Sequence, residues 1–186
     1  MIKKLLLITL SVFMSLNSFA QKNEVRLIIS DPMWETAAFH NRSTQTGYSY
    51  TPHLAVEYMY GVKSWLSVGA SVDYQRTAWT EDSTRWNFYN LCVLPTVRFT
   101  YMRHGLVDLH SGLSLGLDVN GGSEEFYKGG KTIVSGAVDI NYLGVSVGKN
   151  HWYGTFDLGG TFAIYDKTAI FLLSARIFRV GVAYRF

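Results

Sequence analysis

His110 and Ser111 stand side by side in the chain between Asp108 and Asp118, so the segment holds the residue types of nucleophilic hydrolysis: a hydroxyl, a base and an orienting carboxylate. In a strand, however, neighbours in sequence point to opposite faces, and His110 and Ser111 cannot then form one dyad. The expected role of His110 is a hydrogen bond to Asp108 or Asp118 on its own face, and His53 reads the same way. No other Ser, His and carboxylate set has a spacing that assembles a triad, although such sets are often built from residues far apart in sequence. Cys92, the single cysteine, has no partner for an internal disulfide and reads as a small, inert, inward-facing thiol. Glu124 and Glu125 have the chemistry to hold a cation, but a carboxylate pair in a glycine-rich segment is more commonly solvated charge. Trp34, Phe39, His40, Tyr48, Trp79 and Trp86 fall in polar stretches, where aromatics serve either as a recognition surface or as interfacial anchors. No cofactor, no metal and no enzymatic activity is expected.

The more systematic chemistry is a set of charges at alternate positions. Arg26, Glu57, Asp73, Arg98, Asp108, Asp118, Asp139, Asp157, Arg179 and Arg185 all fall on the polar side of segments whose other side is apolar. Tyr50 to Val62, Leu66 to Gln75, Tyr89 to Tyr101 and Val107 to Val119 alternate in this way, as do the stretches from Val134, from Trp152 and over Phe178–Phe186. With a short first strand over Val25 to Ser30 the number of strands is eight. Pro95 lacks a ladder donor and predicts a local bulge or bend. The phase change at Tyr142-Leu143 predicts another. Asp31 to Ser49, Thr77 to Asn87 and Asn120 to Lys131 read as loops, the last of them flexible. Short turns are expected at Lys63-Ser64, Arg103-His104-Gly105 and Lys149-Asn150. The start of the last strand, Leu172 to Arg176, fits the alternation least well.

Long and short connections therefore alternate along the chain, and an even strand number brings both termini to the same side. Met1 to Ala20 has Lys3 and Lys4, an apolar run from Leu5 to Leu16, and Ser18-Phe19-Ala20 before Gln21, which is the layout of a cleaved secretory signal peptide. The remaining 21–186 segment is expected to be one barrel domain. Removing Lys3 and Lys4 from the 17 basic residues leaves 15 against 14 acidic ones, so no basic stripe suited to nucleic acid is present. A soluble eight-stranded barrel of the lipocalin kind would be polar outside and apolar inside. Here the charged face is too rich in ions to be the exterior of a protein whose opposite face is all apolar and rich in Tyr. Tyr and Trp also collect near strand ends: Tyr58, Tyr60, Phe99, Tyr101, Trp152 and Tyr184 at one side, Tyr50, Tyr74 and Tyr89 at the other, as in interfacial girdles. The reading is an all-β, eight-stranded antiparallel up-and-down transmembrane β-barrel of the outer membrane, in contact with outer-membrane lipid and monomeric. The inward charges are expected to pair and fill the lumen, since eight strands leave an interior only wide enough for side chains.

The terminal Tyr184-Arg185-Phe186, the segment Gly61-Val62-Lys63-Ser64-Trp65-Leu66-Ser67-Val68-Gly69, and Leu94-Pro95-Thr96-Val97-Arg98-Phe99 with Ser111-Gly112-Leu113-Ser114-Leu115-Gly116 resemble the small outer-membrane barrels of the OmpA/OmpX type. The resemblance spans the whole 21–186 segment on loose patterns. It implies that Phe186, and less directly Tyr184, is an assembly signal read by the barrel-assembly machinery. Such barrels include adhesins, structural proteins, narrow channels and lipid-modifying enzymes, so function does not follow from the fold. The first expectation is a non-enzymatic barrel whose external loops, of unknown ligand, make surface contacts or whose body is structural. The alternatives are a narrow passive channel for ions or small solutes, and a lipid-modifying barrel enzyme.

Overall fold

The computed structural model describes residues 23–30, 35–39, 45–47, 53–81, 84–122, 132–164, 169–174 and 178–186, and its eleven strands form one closed antiparallel barrel. β1 (Glu24–Ser30), β4 (His53–Lys63), β5 (Leu66–Glu81), β6 (Thr84–His104), β7 (Val107–Gly122), β8 (Ile133–Lys149) and β9 (Trp152–Ile164) pair in sequence order. β11 (Arg179–Arg185) then pairs with both β9 and β1 and closes the ring. β2 (Glu35–Phe39) continues the first stave, β3 (Gln45–Gly47) precedes the second, and β10 (Ala169–Ser174) begins the last, with β10 pairing to β9 and β2. The staves number eight, as the alternation requires, and β3 adds a short ribbon on β2.

The alternation translates directly into an inside and an outside. Along β1 the pattern of burial is strictly periodic, with Glu24, Arg26, Ile28 and Ser30 buried and Val25, Leu27 and Ile29 exposed. The same holds around the ring, where the exposed side chains include Val56, Val72, Val93, Leu115, Leu117, Val180 and Val182, while the buried ones are mostly polar or charged. This inverts a soluble protein, in which large apolar surface is withdrawn from water. On β7 the apolar outer positions run from Leu109 to Val119. At a rise of about 3.3 Å per residue and a tilt of about 40°, those ten steps span about 25 Å, the height of a bilayer-facing apolar band.

Three two-residue turns close one end of the barrel, at Ser64-Trp65, Gly105-Leu106 and Asn150-His151. Gly105 and Asn150 sit there at φ 58° and 61°, the left-handed region that these residue types tolerate best. An aromatic belt circles this short-turn end: Trp65 stacks on Phe99 at 6.2 Å, and Tyr184 packs against Trp152 at 4.9 Å and Phe186 at 6.0 Å between ring centroids. At the opposite end Tyr74 and Tyr89 face outward.

Several expected boundaries are corrected. Asp31 to Ser49 is not wholly loop, because β2 and β3 form within it once β10 offers a partner edge. Thr77 to Asn87 continues β5 and β6 as a ladder from Thr77↔Phe88 through Trp79↔Trp86 to Glu81↔Thr84. Pro95 causes no bulge: it stays in register with Ala70, and on the β7 side pairing resumes at Thr96↔Ser114 in the register left at Val93↔Leu117. The extra residue of β6 is Tyr101, between Thr100 and Met102. A missing N–H interrupts one ladder bond without adding a residue, so the register is kept across Pro95. The irregularity in β8 falls between Asn141 and Leu143, where the phase change predicts it. In the last stave the described residues form β10 and β11, with Phe178 in neither. Residues 1–20, Trp34, His40, Tyr48, Glu124 and Glu125 lie outside the described residues.

Candidate functional site

Period-two alternation delivers a charged side chain to the lumen from nearly every stave, and closure of the ring brings them together. Glu24 on β1 is the hub. Its carboxylate accepts from Arg26 Nε at 2.6 Å, from Arg98 Nη1 at 2.5 Å and from Arg185 Nε at 2.5 Å. Arg98 also pairs with Glu57 on β4, and Arg185 Nη1 donates to Asp108 Oδ2 at 2.6 Å. Charge-assisted hydrogen bonds of this kind are short and strong, and here they cross-link β1, β4, β6, β7 and β11.

Arg26 carries the network across the barrel. Its Nη1 donates to Asp157 Oδ2 at 3.2 Å on β9 and its Nη2 to Ser146 Oγ at 3.1 Å on β8. His110 Nε2 lies 2.9 Å from Asp157 Oδ1 and 3.3 Å from both terminal nitrogens of Arg26. One ring nitrogen cannot donate to the carboxylate and accept from the guanidinium at once. The shorter contact assigns an Nε2–H that donates to Asp157, while Arg26 is satisfied by Asp157 and Ser146. The expected partners of His110, Asp108 or Asp118, are therefore replaced by a residue from the next-but-one stave. Gly144 of β8 makes room for this contact, since a Cβ there would stand 2.1 Å from His110 Nε2 and 2.3 Å from Asp157 Oδ1.

Toward the other end the charges form separate groups. Arg179 meets Asp139 in a two-pronged pair, with Nη1 donating at 2.9 Å, and Thr161 Oγ1 donates to the same carboxylate at 2.6 Å. Asp118, fully buried, accepts from Asn120 Nδ2 at 2.7 Å and from the Cys92 thiol at 3.3 Å. Ser30 Oγ lies 2.8 Å from His53 Nδ1, and Asp73 lies 3.6 Å from His53 Nε2. This last trio has the residue types of a triad assembled from distant positions. At 3.6 Å the carboxylate is beyond the hydrogen bond that orients a base, and all three side chains are almost wholly buried. Its contacts tie β1, β4 and β5 together. Among the described residues no group of three or more His, Cys, Asp or Glu side chains is placed to hold a metal.

All ten charges singled out from the sequence thus face the lumen, in one large network and smaller groups. The residue that sequence reasoning missed is its hub, Glu24. The signal was the alternation itself, which puts Glu24 in phase with Arg26 once the strand begins one residue before Val25. Tyr184 and Phe186 face outward, and Phe186 is bonded by its backbone to Asn23, N to O at 2.9 Å one way and 2.8 Å the other.

No protein-family model and no curated protein sequence matches the chain. Its fold does match solved structures. The attachment invasion locus protein Ail of Yersinia pestis superposes with a TM-score of 0.54 at 12% identity, covering 89% of this chain and 99% of that one. The same protein in complex with the heparin analogue sucrose octasulfate gives 0.53 at 14% identity over the same shares. Neisserial surface protein A gives 0.57 at 13% identity, covering 88% and 97%. The fold is that of the small eight-stranded outer-membrane barrels.

Proposed function

We propose that the chain is a non-enzymatic outer-membrane barrel whose lumen is closed by its own ion network and whose loop end makes surface contacts, the short-turn end facing the periplasm. The observation that carries this reading is the inversion of polarity: an apolar band and aromatic belt outside, and charges from six staves tied across the inside. Arg26 spans the lumen between Glu24 and Asp157, so opening a continuous path would break several charge-assisted bonds at once. Residues 1–20 act as the export signal, and Phe186 with Tyr184 is read by the assembly machinery. Surface contact is favoured over a purely structural role because the two similar proteins are named for attachment and for the cell surface. The barrel works as a monomer in outer-membrane lipid.

Planar-bilayer recording on purified, refolded protein tests the closed lumen. The expected outcome is no stable stepwise conductance, and its appearance would sink this reading in favour of a narrow channel. Binding of whole cells to surface glycans or proteins, lost when the 123–131 segment is shortened, is the expected result for a contact role.

A further inference from the structure

A cavity of about 360 Å³ enters the lumen from the short-turn end, and its lining reaches Arg26 and His110, the level at which the ion network crosses the barrel. Five cations line it: Arg26 and Arg98 near the floor, Arg185 on the wall, and Lys63 and Arg103 at the mouth. The lining contains only two carboxylates, Glu24 and Asp108. Glu24 is already shared by three guanidiniums, and Asp108 by Arg185 and by Arg103 Nε at 3.3 Å. Glu57 and Asp157, behind the lining, answer Arg98 and Arg26.

The positive charge left over is therefore at the rim. Among the described residues the ion pairs give Lys63 no carboxylate; its ammonium lies 5.4 Å over the Trp65 ring. Arg103 has a side chain 56% exposed and holds Asp108 by its longest contact, while Arg185 keeps that carboxylate paired at 2.6 Å. Arg103 can thus leave Asp108 for an incoming anion without stranding a buried charge. Ser64, Ser67 and Thr100 add hydroxyl donors, and Met59 is the one large apolar lining group, so the walls suit a charged polar guest. A space of this size holds roughly twelve waters, at about 30 Å³ each, which admits a carboxylate- or phosphate-bearing small molecule.

We infer that the short-turn vestibule is a binding site for an oxyanion group, a carboxylate or a phosphate, gripped between Lys63 and Arg103. The site faces the compartment opposite the surface loops and is independent of what those loops bind. Its test needs no assignment of membrane orientation. Isotope-labelled barrel in phosphate-free alkyl-glucoside micelles is titrated with inorganic phosphate and, separately, with acetate, against chloride at matched ionic strength, and amide shifts are followed. The expected result is saturable shifts confined to residues 61–67 and 98–110, with a Kd of about 1 mM or tighter for at least one anion. Response to phosphate alone identifies a phosphate site; response to acetate identifies a carboxylate site. The double variant Lys63→Gln, Arg103→Gln, changed only at exposed rim residues, is expected to weaken binding about tenfold or more with the rest of the spectrum unmoved. Shifts that fail to saturate for both anions, that fall at the loop end, or that persist unchanged in the double variant would overturn the inference.

Discussion

Glu24 carries one negative charge on which three guanidiniums converge, and it is only 5% exposed. Removing it leaves Arg26, Arg98 and Arg185 mutually repelling in a confined interior. Breaking a buried ion pair by deleting one partner costs about 3–5 kcal/mol. Glu24→Ala should therefore lower unfolding stability by about that amount in denaturant titrations in lipid vesicles. Arg103→Ala, which removes an exposed partner of a carboxylate that Arg185 still holds, should cost less than about 1 kcal/mol. If the two variants cost the same, the lumen is solvated rather than cross-linked. Gly144→Ala probes the same network sterically. The added methyl would collide with His110 and Asp157, which are bonded to each other, with Asp157 held in turn by Arg26, so an overpacking loss of about 1–3 kcal/mol is expected. At Gly136 nothing lies within 4 Å of an added Cβ, and Gly136→Ala should change stability by no more than about 0.5 kcal/mol. At this scale the sequence shows which side chains go inward, because period two assigns a face to each residue. It does not show who meets whom. His110 and Asp157 are 47 positions apart and become neighbours only through the curvature of three staves.

Among the elements, the closing stave carries the sharpest expectation. β11 holds β9 on one side and β1 on the other, and Phe186 extends the seam by two backbone hydrogen bonds to Asn23. Deleting Phe186 removes those bonds and the ring, whereas Phe186→Ala keeps the bonds. If the aromatic is the assembly signal, both changes should sharply reduce the heat-modifiable fraction in the outer membrane, while Phe186→Ala refolds normally into micelles. Insertion that survives deletion of Phe186 would show that assembly reads something else. The elements that sequence reading missed have two physical causes. Thr77 to Glu81 and Thr84 to Asn87 form a ladder, yet neither of their faces is consistently apolar, so no period stands out. β2 has no local signature because its pairing with β10 joins residues about 130 positions apart. Long-range edges make strands that no short window reveals.

For the whole molecule, the question is whether the apolar exterior meets lipid, and a pair of arginine scans answers it. Leu115 lies near the middle of β7 and is 54% exposed on the outer face; Leu106, 53% exposed, sits in a turn at the barrel's end. In water, surface substitutions at two equally exposed sites would each change stability by no more than about 0.5 kcal/mol. In a bilayer an arginine costs about 2–4 kcal/mol at the midplane and about 0–1 near the interface. Leu115→Arg is therefore expected to destabilise the refolded barrel in vesicles by several times more than Leu106→Arg. The direction of the side chain supplies the control: Ser114, one residue away, points into the lumen and bonds Thr96 at 2.9 Å. Ser114→Ala removes one buried hydrogen bond, a loss of about 1 kcal/mol that is the same at any depth in the bilayer. Equal costs for the two arginines would mean that depth is irrelevant, and the outer face would then have to be covered by something other than lipid.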